Sequence, residues 1–566
     1  MNTKRKPQWD QRLALCTKGD RRAFSRFVLP FSWKKEKGDD SKHRYIETSP
    51  QAHREKIKYF TQETGKALYK KAKWLTLEGF DDTPWGSGQK IALLDRGAIQ
   101  ARMEPPRLVL FEWDESGADL LHSGFLLVDI FLEPHEQGRE PTLDDLLTFN
   151  EFFRYIDCPY DGHYQTDEGI CFQELFKESD AHFLVERVQS DSKDRKNINP
   201  PEEKLRERLL KKYFDRWVEL LRSPITIDGA SYRIIGEDRI EATRQYLLGN
   251  DMSDPGFLIH ADNRAYVWTA ASLEKGVDGL QALARTPSTQ AHDYGHWIKL
   301  LNVDMAGKSP IKTHRGVREF EQKWAKERTY HRWEEWGTWY GFTYHSGAAL
   351  MKKPKEEPNF IYHFSTFYFD IVLLLLYLRV SLFRFSNELG KESEAGLTDD
   401  GFRKIREQFA HFTIRYQFPI LSNQQQAIEM YTLAREHFDL DDLHKEVKAE
   451  IHETHEYLEM VNAAQLNKDS NQLSEAANRI SSFGIPLAAG ALAAGVFGMN
   501  IDDFHFISCL RKQNPQCVVN WEAVSLLVLV IVFISIMVAV PWIKRIIKNR
   551  KTQPKNTTGI RKQDDE

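Results

Sequence analysis

Gly498-Met499-Asn500, followed by Ile501 and then the carboxylates Asp502 and Asp503, closes a long uncharged run. An asparagine amide oxygen is a hard, neutral acceptor. A ring of such oxygens, one from each copy of a subunit, can accept hydrogen bonds from the water shell of a cation. Mg²⁺ holds that shell tightly and dehydrates reluctantly, so the ion need not be stripped. Gly498 lets neighbouring backbones approach closely. Asp502 and Asp503 raise the local cation concentration just outside. On this reading the tripeptide is a selectivity ring and the aspartates are a cation collector.

A ring of this kind needs membrane helices to hold it. From Ile480 to Ile501 there are 22 residues without a charge, and from Ala523 to Ile543 there are 21 more. At about 1.5 Å per residue, roughly 20 apolar residues cross a bilayer core. The second run is apolar on every face. The first is rich in Ala and Gly. Stepping back from Asn500 by helical turns places Gly495, Ala491, Ala488, Phe483 and Ile480 on the lining, with Ile480 and Phe483 as the bulkiest candidates for a gate that closes by dewetting. The same small residues would also serve close packing of two helices, and that alternative stays open.

Orientation follows from the flanks. Lys544, Arg545, Lys548, Arg550 and Lys551 follow the second run. Such clusters stay cytoplasmic, which places both termini in the cytoplasm and the protein in the inner (plasma) membrane. Residues 502–522 then form the external loop. It holds Cys509 and Cys517, a candidate disulfide in an oxidising space. The first residues show no apolar core of a secretory signal. A formal net charge of -4 is not that of a basic nucleic-acid binder, and a surface of mixed sign is expected. No phosphate-binding glycine loop, serine nucleophile motif or Cys-x-x-Cys is present, so an enzyme is not expected.

The fold class expected is an α+β cytoplasmic domain, a long stalk helix and two C-terminal transmembrane helices. Residues 1–56 read as a polar N-terminal arm and 57–187 as an N-terminal α/β region. In the latter, KWLTL, KIALL, RLVLFEW and GFLLVDIFL read as strands, and Thr142 caps a helix over 142–156. A linker at 188–203 precedes a second α/β domain over 204–360. Residues 361–421 form a helical bundle. Within it, 367–389 resembles a span but carries Asp370 and Arg379, and reads as a buried helix. Ser422 is the expected N-cap of a stalk over 422–479. The pore helix (480–501), external loop, second span (523–543) and basic tail (544–566) follow.

This order of parts, with Gly498-Met499-Asn500 ending the first span, resembles the CorA family of divalent-cation channels. The resemblance covers about 240–566 closely and 57–240 loosely. It implies a funnel-shaped homopentamer in the lipid bilayer, with Mg²⁺ as transported ion, no cofactor, and Asn500 contacting the hydrated ion. There are departures. Phe497 stands where the family has Tyr. Pro486-Leu487-Ala488 lies about one turn further back than the family's Pro-Leu-Thr, and ends in alanine. Between 462 and 478 the acidic residues are Asp469 and Glu475, which leaves no clear counterpart of the family's Mg²⁺-sensing carboxylates. The enlarged N-terminal part also resembles CorA-like membrane effectors associated with type III CRISPR systems, which are gated by a nucleotide second messenger such as an S-adenosylmethionine–AMP conjugate. That is the alternative reading.

Three further groups are candidates. Trp333, Trp336, Trp339 and Tyr340 could stack on a nucleobase, with Arg315, Arg318 and Lys323 meeting phosphates, or could fill a core or interface. His292 and His296 flank Gly295 at a metal-compatible spacing if helical. His452 and Glu456 share a face of the stalk.

Overall fold

The computed structural model describes residues 14–17, 22–33, 35–37, 45–48, 54–80, 91–94, 98–112, 122–134, 139–154, 225–227, 230–234, 264–274, 291–304, 315–352, 359–394, 396, 398–418 and 420–498, with scattered positions from 525 to 544. By contact density the chain divides into Met1–His452 and Glu453–Glu566.

The first unit is built on one 14-stranded sheet. Its strands in chain order are β1 (Phe24–Trp33), β2 (Lys35–Lys37), β3 (Tyr45–Glu47), β4 (Lys73–Leu77), β5 (Ile91–Leu94), β6 (Ala98–Met103) and β7 (Arg107–Leu110). They continue with β8 (His122–Glu133), β9 (Ile225–Ile227), β10 (Ala230–Ile234), β11 (Tyr266–Leu273), β12 (Thr329–Tyr330), β13 (Thr338–Phe342) and β14 (Ser346–Lys352). The spatial order is β12-β13-β14-β11-β1-β8-β7-β4-β3-β9-β10-β2, with β6 beside β8 and β5 beside β6. Most pairs are antiparallel; β11 with β14 and β3 with β9 are parallel.

The helices are α1 (Arg54–Tyr59), α2 (Gln62–Lys66), α3 (Leu143–Phe153), α4 (Ala291–Asn302), α5 (Arg315–Glu327), α6 (Asn359–His363), α7 (Phe369–Glu394), α8 (Asp399–Tyr416), α9 (Gln425–His437) and α10 (Leu440–Gly498). A π-helical turn, Ala67–Lys71, extends α2, and another, Phe364–Tyr368, joins α6 to α7.

Alternation along the strands sets two covered faces. Phe27, Leu29 and Phe31 of β1, with Leu126, Val128 and Ile130 of β8, share a core with Leu146 and Leu147 of α3 and Trp297 and Leu301 of α4. The other face lies under α7: Phe111 stacks on Tyr377 at 4.1 Å, and Trp268 stacks on Phe364 at 4.0 Å. A strand covered on both faces reads as a nearly continuous apolar run, as GFLLVDIFL does. The stretch Phe360–Glu394 is long and apolar enough to cross a membrane, but 83% of its apolar window is buried. It is a core helix against this sheet, as its interrupting charges imply.

The structure corrects three boundaries. Residues 1–56 are not simply a polar arm, because β1 lies at the centre of the sheet between β8 and β11. Pro30 is tolerated there because the β11 ladder stops at Val28, so no ladder bond is lost on that side. Regions 57–187 and 204–360 are not separate α/β domains: β11 and β14 continue the sheet that holds β4, β7 and β8. The stalk does not start at Ser422. α9 ends at His437, and Asp439, in the left-handed region at φ 51°, turns the chain before α10 begins. Ser422 Oγ instead donates to the carbonyl of Tyr59 at 2.5 Å. The proposed linker 188–203 lies outside the described residues.

Candidate functional site

α10 is 59 residues long, about 88 Å at 1.5 Å per residue. Its start is anchored firmly. Asp441 and Asp442 sit in the first turn, where the helix dipole favours negative charge. Arg435 of α9 binds Asp441 Oδ1 through Nε at 2.9 Å and Nη2 at 2.6 Å. Leu440, Val447, Ile451 and Leu458 are buried.

Further along, the same helix leaves large apolar side chains in the open. Leu466 is 69% exposed, Leu473 75%, Ile480 73% and Leu487 78%. They recur every seven residues. A second series at the same spacing is small throughout: Ala463, Ser470, Ala477, Gly484, Ala491 and Gly498. A sustained seven-residue repeat is the pattern of helices that supercoil around each other left-handedly. Small residues beside it let backbones approach. Burying one Leu or Ile side chain is worth roughly 1.5–3 kcal/mol, so a lone chain forgoes that at each position. The repeat is visible in the residues themselves once the helix is known to be unbroken.

Of the expected pore lining, Ile480, Phe483, Ala488 and Ala491 are helical and exposed, and Gly495 and Gly498 lie in the last turns. Ile480 and Ala491 fall on the two seven-residue series. Met499, Asn500, Asp502, Asp503, Cys509 and Cys517 lie outside the described residues. In the second apolar run Val528, Leu529, Val532, Phe533, Ile536, Val540 and Ile543 are helical and exposed.

The aromatic group does not form one platform. Successive strand residues face opposite sides of a sheet, so Trp339 enters the core beneath α4 while Tyr340 packs on Phe364 at 5.6 Å. Trp333 is tilted over Phe360 at 6.0 Å, and Trp336 alone of the four is 67% exposed. Lys323 pairs with Glu327 at 3.8 Å, and the side chains of Arg315 and Arg318 are outside the description. His292 and His296 do lie on a helix, α4, despite Gly295; His296 Nε2 meets Asp144 Oδ1 at 2.8 Å. Among the described residues no three metal-ligating groups cluster. His452 and Glu456 stand exposed on α10.

A charged cluster not foreseen from sequence lies between the sheet and the start of α7. Arg26 and Asp129 face each other across β1 and β8. Arg26 donates through Nε at 2.6 Å and Nη2 at 2.9 Å to the two Asp129 oxygens, and through Nη1 to the Ser365 carbonyl at 2.9 Å. Arg107 of β7 shares Asp129 Oδ2 at 2.8 Å. Burial alone would raise the Asp129 carboxyl; the Arg26 and Arg107 guanidinium groups outweigh it and hold Asp129 below the ordinary carboxylate range. Nearby, Asp370 Oδ2 accepts from Lys56 Nζ at 3.0 Å and from the Tyr69 hydroxyl at 2.5 Å. Burial, then the charge of Asp370, pushes the Tyr69 hydroxyl well up.

Both π-helical turns border this cluster. Their distorted ladders are completed by side chains: Trp268 Nε1 donates to Phe364 O at 3.1 Å, Arg26 to Ser365 O, and Trp74 Nε1 to Leu68 O at 2.7 Å. Single π-turns often mark functional sites.

No family model, curated protein or solved structure matches this chain.

A second buried group lies further along α7. Glu112, at φ 60°, meets His122 Nδ1 at 3.0 Å. Burial would raise its carboxyl; the His122 hydrogen bond and Arg384 hold it below the ordinary range instead. These groups clamp the sheet to the helical layer. The exposed apolar series lies instead on α10, which ends at Gly498.

Proposed function

We propose that this protein is a CorA-like membrane channel that passes divalent cations, Mg²⁺ foremost, as a homopentamer in the plasma membrane. The observation that carries the reading is the unbroken helix Leu440–Gly498, whose exposed seven-residue series runs from Leu466 to Leu487 and whose small-residue series ends on the first residue of Gly-Met-Asn. Identical helices meeting along that seam would bring one Asn500 from each copy to a common axis. Their amide oxygens would accept hydrogen bonds from the ion's water shell. Asp502 and Asp503 would gather cations at the entrance. The second apolar run, followed by its basic flank, would hold each copy in the bilayer with the large sheet domain on the cytoplasmic side.

The test is divalent-ion flux into proteoliposomes carrying the full chain, beside an Asn500→Ala control. Mg²⁺ uptake that collapses in the variant, with the oligomer intact, is the expected result. Equal uptake by both proteins would sink the selectivity-ring assignment.

A further inference from the structure

The root of α10 is docked through a ladder of aromatic rings. Phe385 of α7 meets Phe409 of α8 edge-on, with centroids 5.5 Å apart at 90°. Phe409 in turn stacks on His444 of α10 at 5.6 Å and 21°. Phe385 and Phe409 are buried. His444 lies one turn after Leu440 and one turn before Val447, both buried, so it occupies the docked face of the helix. Its Nε2 is closed to solvent, and no described group bonds to it. A neutral imidazole tolerates this, because it can carry its one proton on Nδ1 and leave Nε2 bare. An imidazolium carries N–H on both nitrogens. Nε2 would then be a charged donor without an acceptor, which is costly away from water.

The charges around the ring do not relieve that cost. Lys448 and Asp441 act on it from its own helix and Arg435 from α9, while α8 faces it with the uncharged Phe409 ring. Lys448 and Arg435 oppose a proton on the ring. Asp441 favours one, but its Oδ1 is already taken by Nε and Nη2 of Arg435. Burial first, then Lys448 and Arg435, hold His444 below the ordinary histidine range. A released ring takes up a proton near pH of about 6.5, before the docked ring does. Docking is therefore at full strength above pH of about 6.5 and weakens as pH falls toward the lower value of the docked ring. We propose that His444 is a proton-sensitive latch at the root of α10: the neutral ring keeps the helix on α8, and protonation releases it. The first turns of α10 then loosen in mild acid, while the sheet stays folded because Asp129 and Glu112, both held below the ordinary carboxylate range, remain ionised. The proposal does not depend on what α10 conducts.

The experiment is amide hydrogen exchange, read by mass spectrometry on peptides covering the first turns of α10, in the purified full chain in detergent. Wild type and His444→Phe are compared at about pH 7.5 and at about pH 5.5, which bracket the ordinary histidine titration. Phenylalanine keeps the stack on Phe409 and cannot take a proton. Comparing the two proteins at one pH cancels the intrinsic pH dependence of exchange. At the higher pH the two should be equally protected. At the lower pH these turns should exchange several-fold faster in wild type than in His444→Phe, with the peptides of β1 and β8 unchanged in both. His444→Lys carries the charge at either pH, so its α10 peptides should exchange fast at both. Should that variant fail to fold, the comparison with His444→Phe still decides. Equal exchange in wild type and His444→Phe at the lower pH would overturn the proposal. So would a wild-type His444 ring that titrates at or above the ordinary histidine value.

Discussion

Arg26 and Asp129 stand opposite each other in register on β1 and β8, 103 residues apart in sequence, joined by two hydrogen bonds of 2.6 and 2.9 Å. They bind the segment nearest the N-terminus to the middle of the sheet, and Arg107 makes the pair a triad. Removing the carboxylate leaves two guanidinium groups facing each other. Asp129→Asn is expected to cost about 3–5 kcal/mol, measured by denaturant unfolding of the full chain.

The same carboxylate sets a pH dependence. Asp129 is held below its ordinary range in the folded protein, whereas in the unfolded chain it titrates near 4. Its contribution is therefore present above pH of about 4 and is lost as pH falls through the lower folded value. Glu112, also depressed, acts in the same direction. The midpoint of the wild-type protein should fall steeply below pH of about 4, and that of Asp129→Asn less so. Parallel curves for the two proteins would show that Asp129 does not carry the effect.

Close backbone approach makes a sharper prediction at Gly347, on β14 beside Trp268 of β11. A Cβ built there would lie 2.2 Å from Cε3 and Cζ3 of Trp268. That ring is locked by its stack on Phe364 at 4.0 Å and by its hydrogen bond to the Phe364 carbonyl. Gly347→Ala is expected to destabilise by about 3 kcal/mol or more. A near-neutral midpoint would mean that the Trp268 stack yields easily.

Much of this architecture was legible, and the failures have physical causes. Thr142 announced a helix because its capping is local: Thr142 and Asp145 complete a capping box. KWLTL and GFLLVDIFL were readable as strands because burial on a sheet leaves its mark on each residue. β1 was hidden by Pro30 and by charged neighbours, and its burial depends on β8 and β11, which are distant in sequence. The Asp370 and Asp129 sites were invisible for the same reason: a buried carboxylate looks like a surface one until its distant partners arrive. At Asp439 no glycine or proline marks the break between α9 and α10; a single aspartate in the left-handed region suffices.

The α10 seam predicts assembly behaviour. Leu473→Asp puts a charge in the middle of the exposed series. The full chain in detergent should then run as smaller species in mass photometry, while Glu475→Gln, off the seam, should leave the assembly unchanged. An oligomer of unaltered size in Leu473→Asp would place the subunit contact elsewhere.

The proposed role of Asp502 and Asp503 in gathering cations has a salt signature. A collector acts through its field, which is screened over about 10 Å at 0.1 M salt and over about 30 Å at 0.01 M. Replacing both by asparagine should reduce Mg²⁺ uptake several-fold at low ionic strength. The difference should close as salt rises. On the proposed selectivity ring, Asn500→Ala removes a hydrogen-bond acceptor at contact distance, so its loss should persist at every salt concentration. Flux measured across a salt series in the two variants therefore separates the ring from the collector. A deficit that stays constant with salt in the double aspartate variant would place those carboxylates in direct contact with the ion.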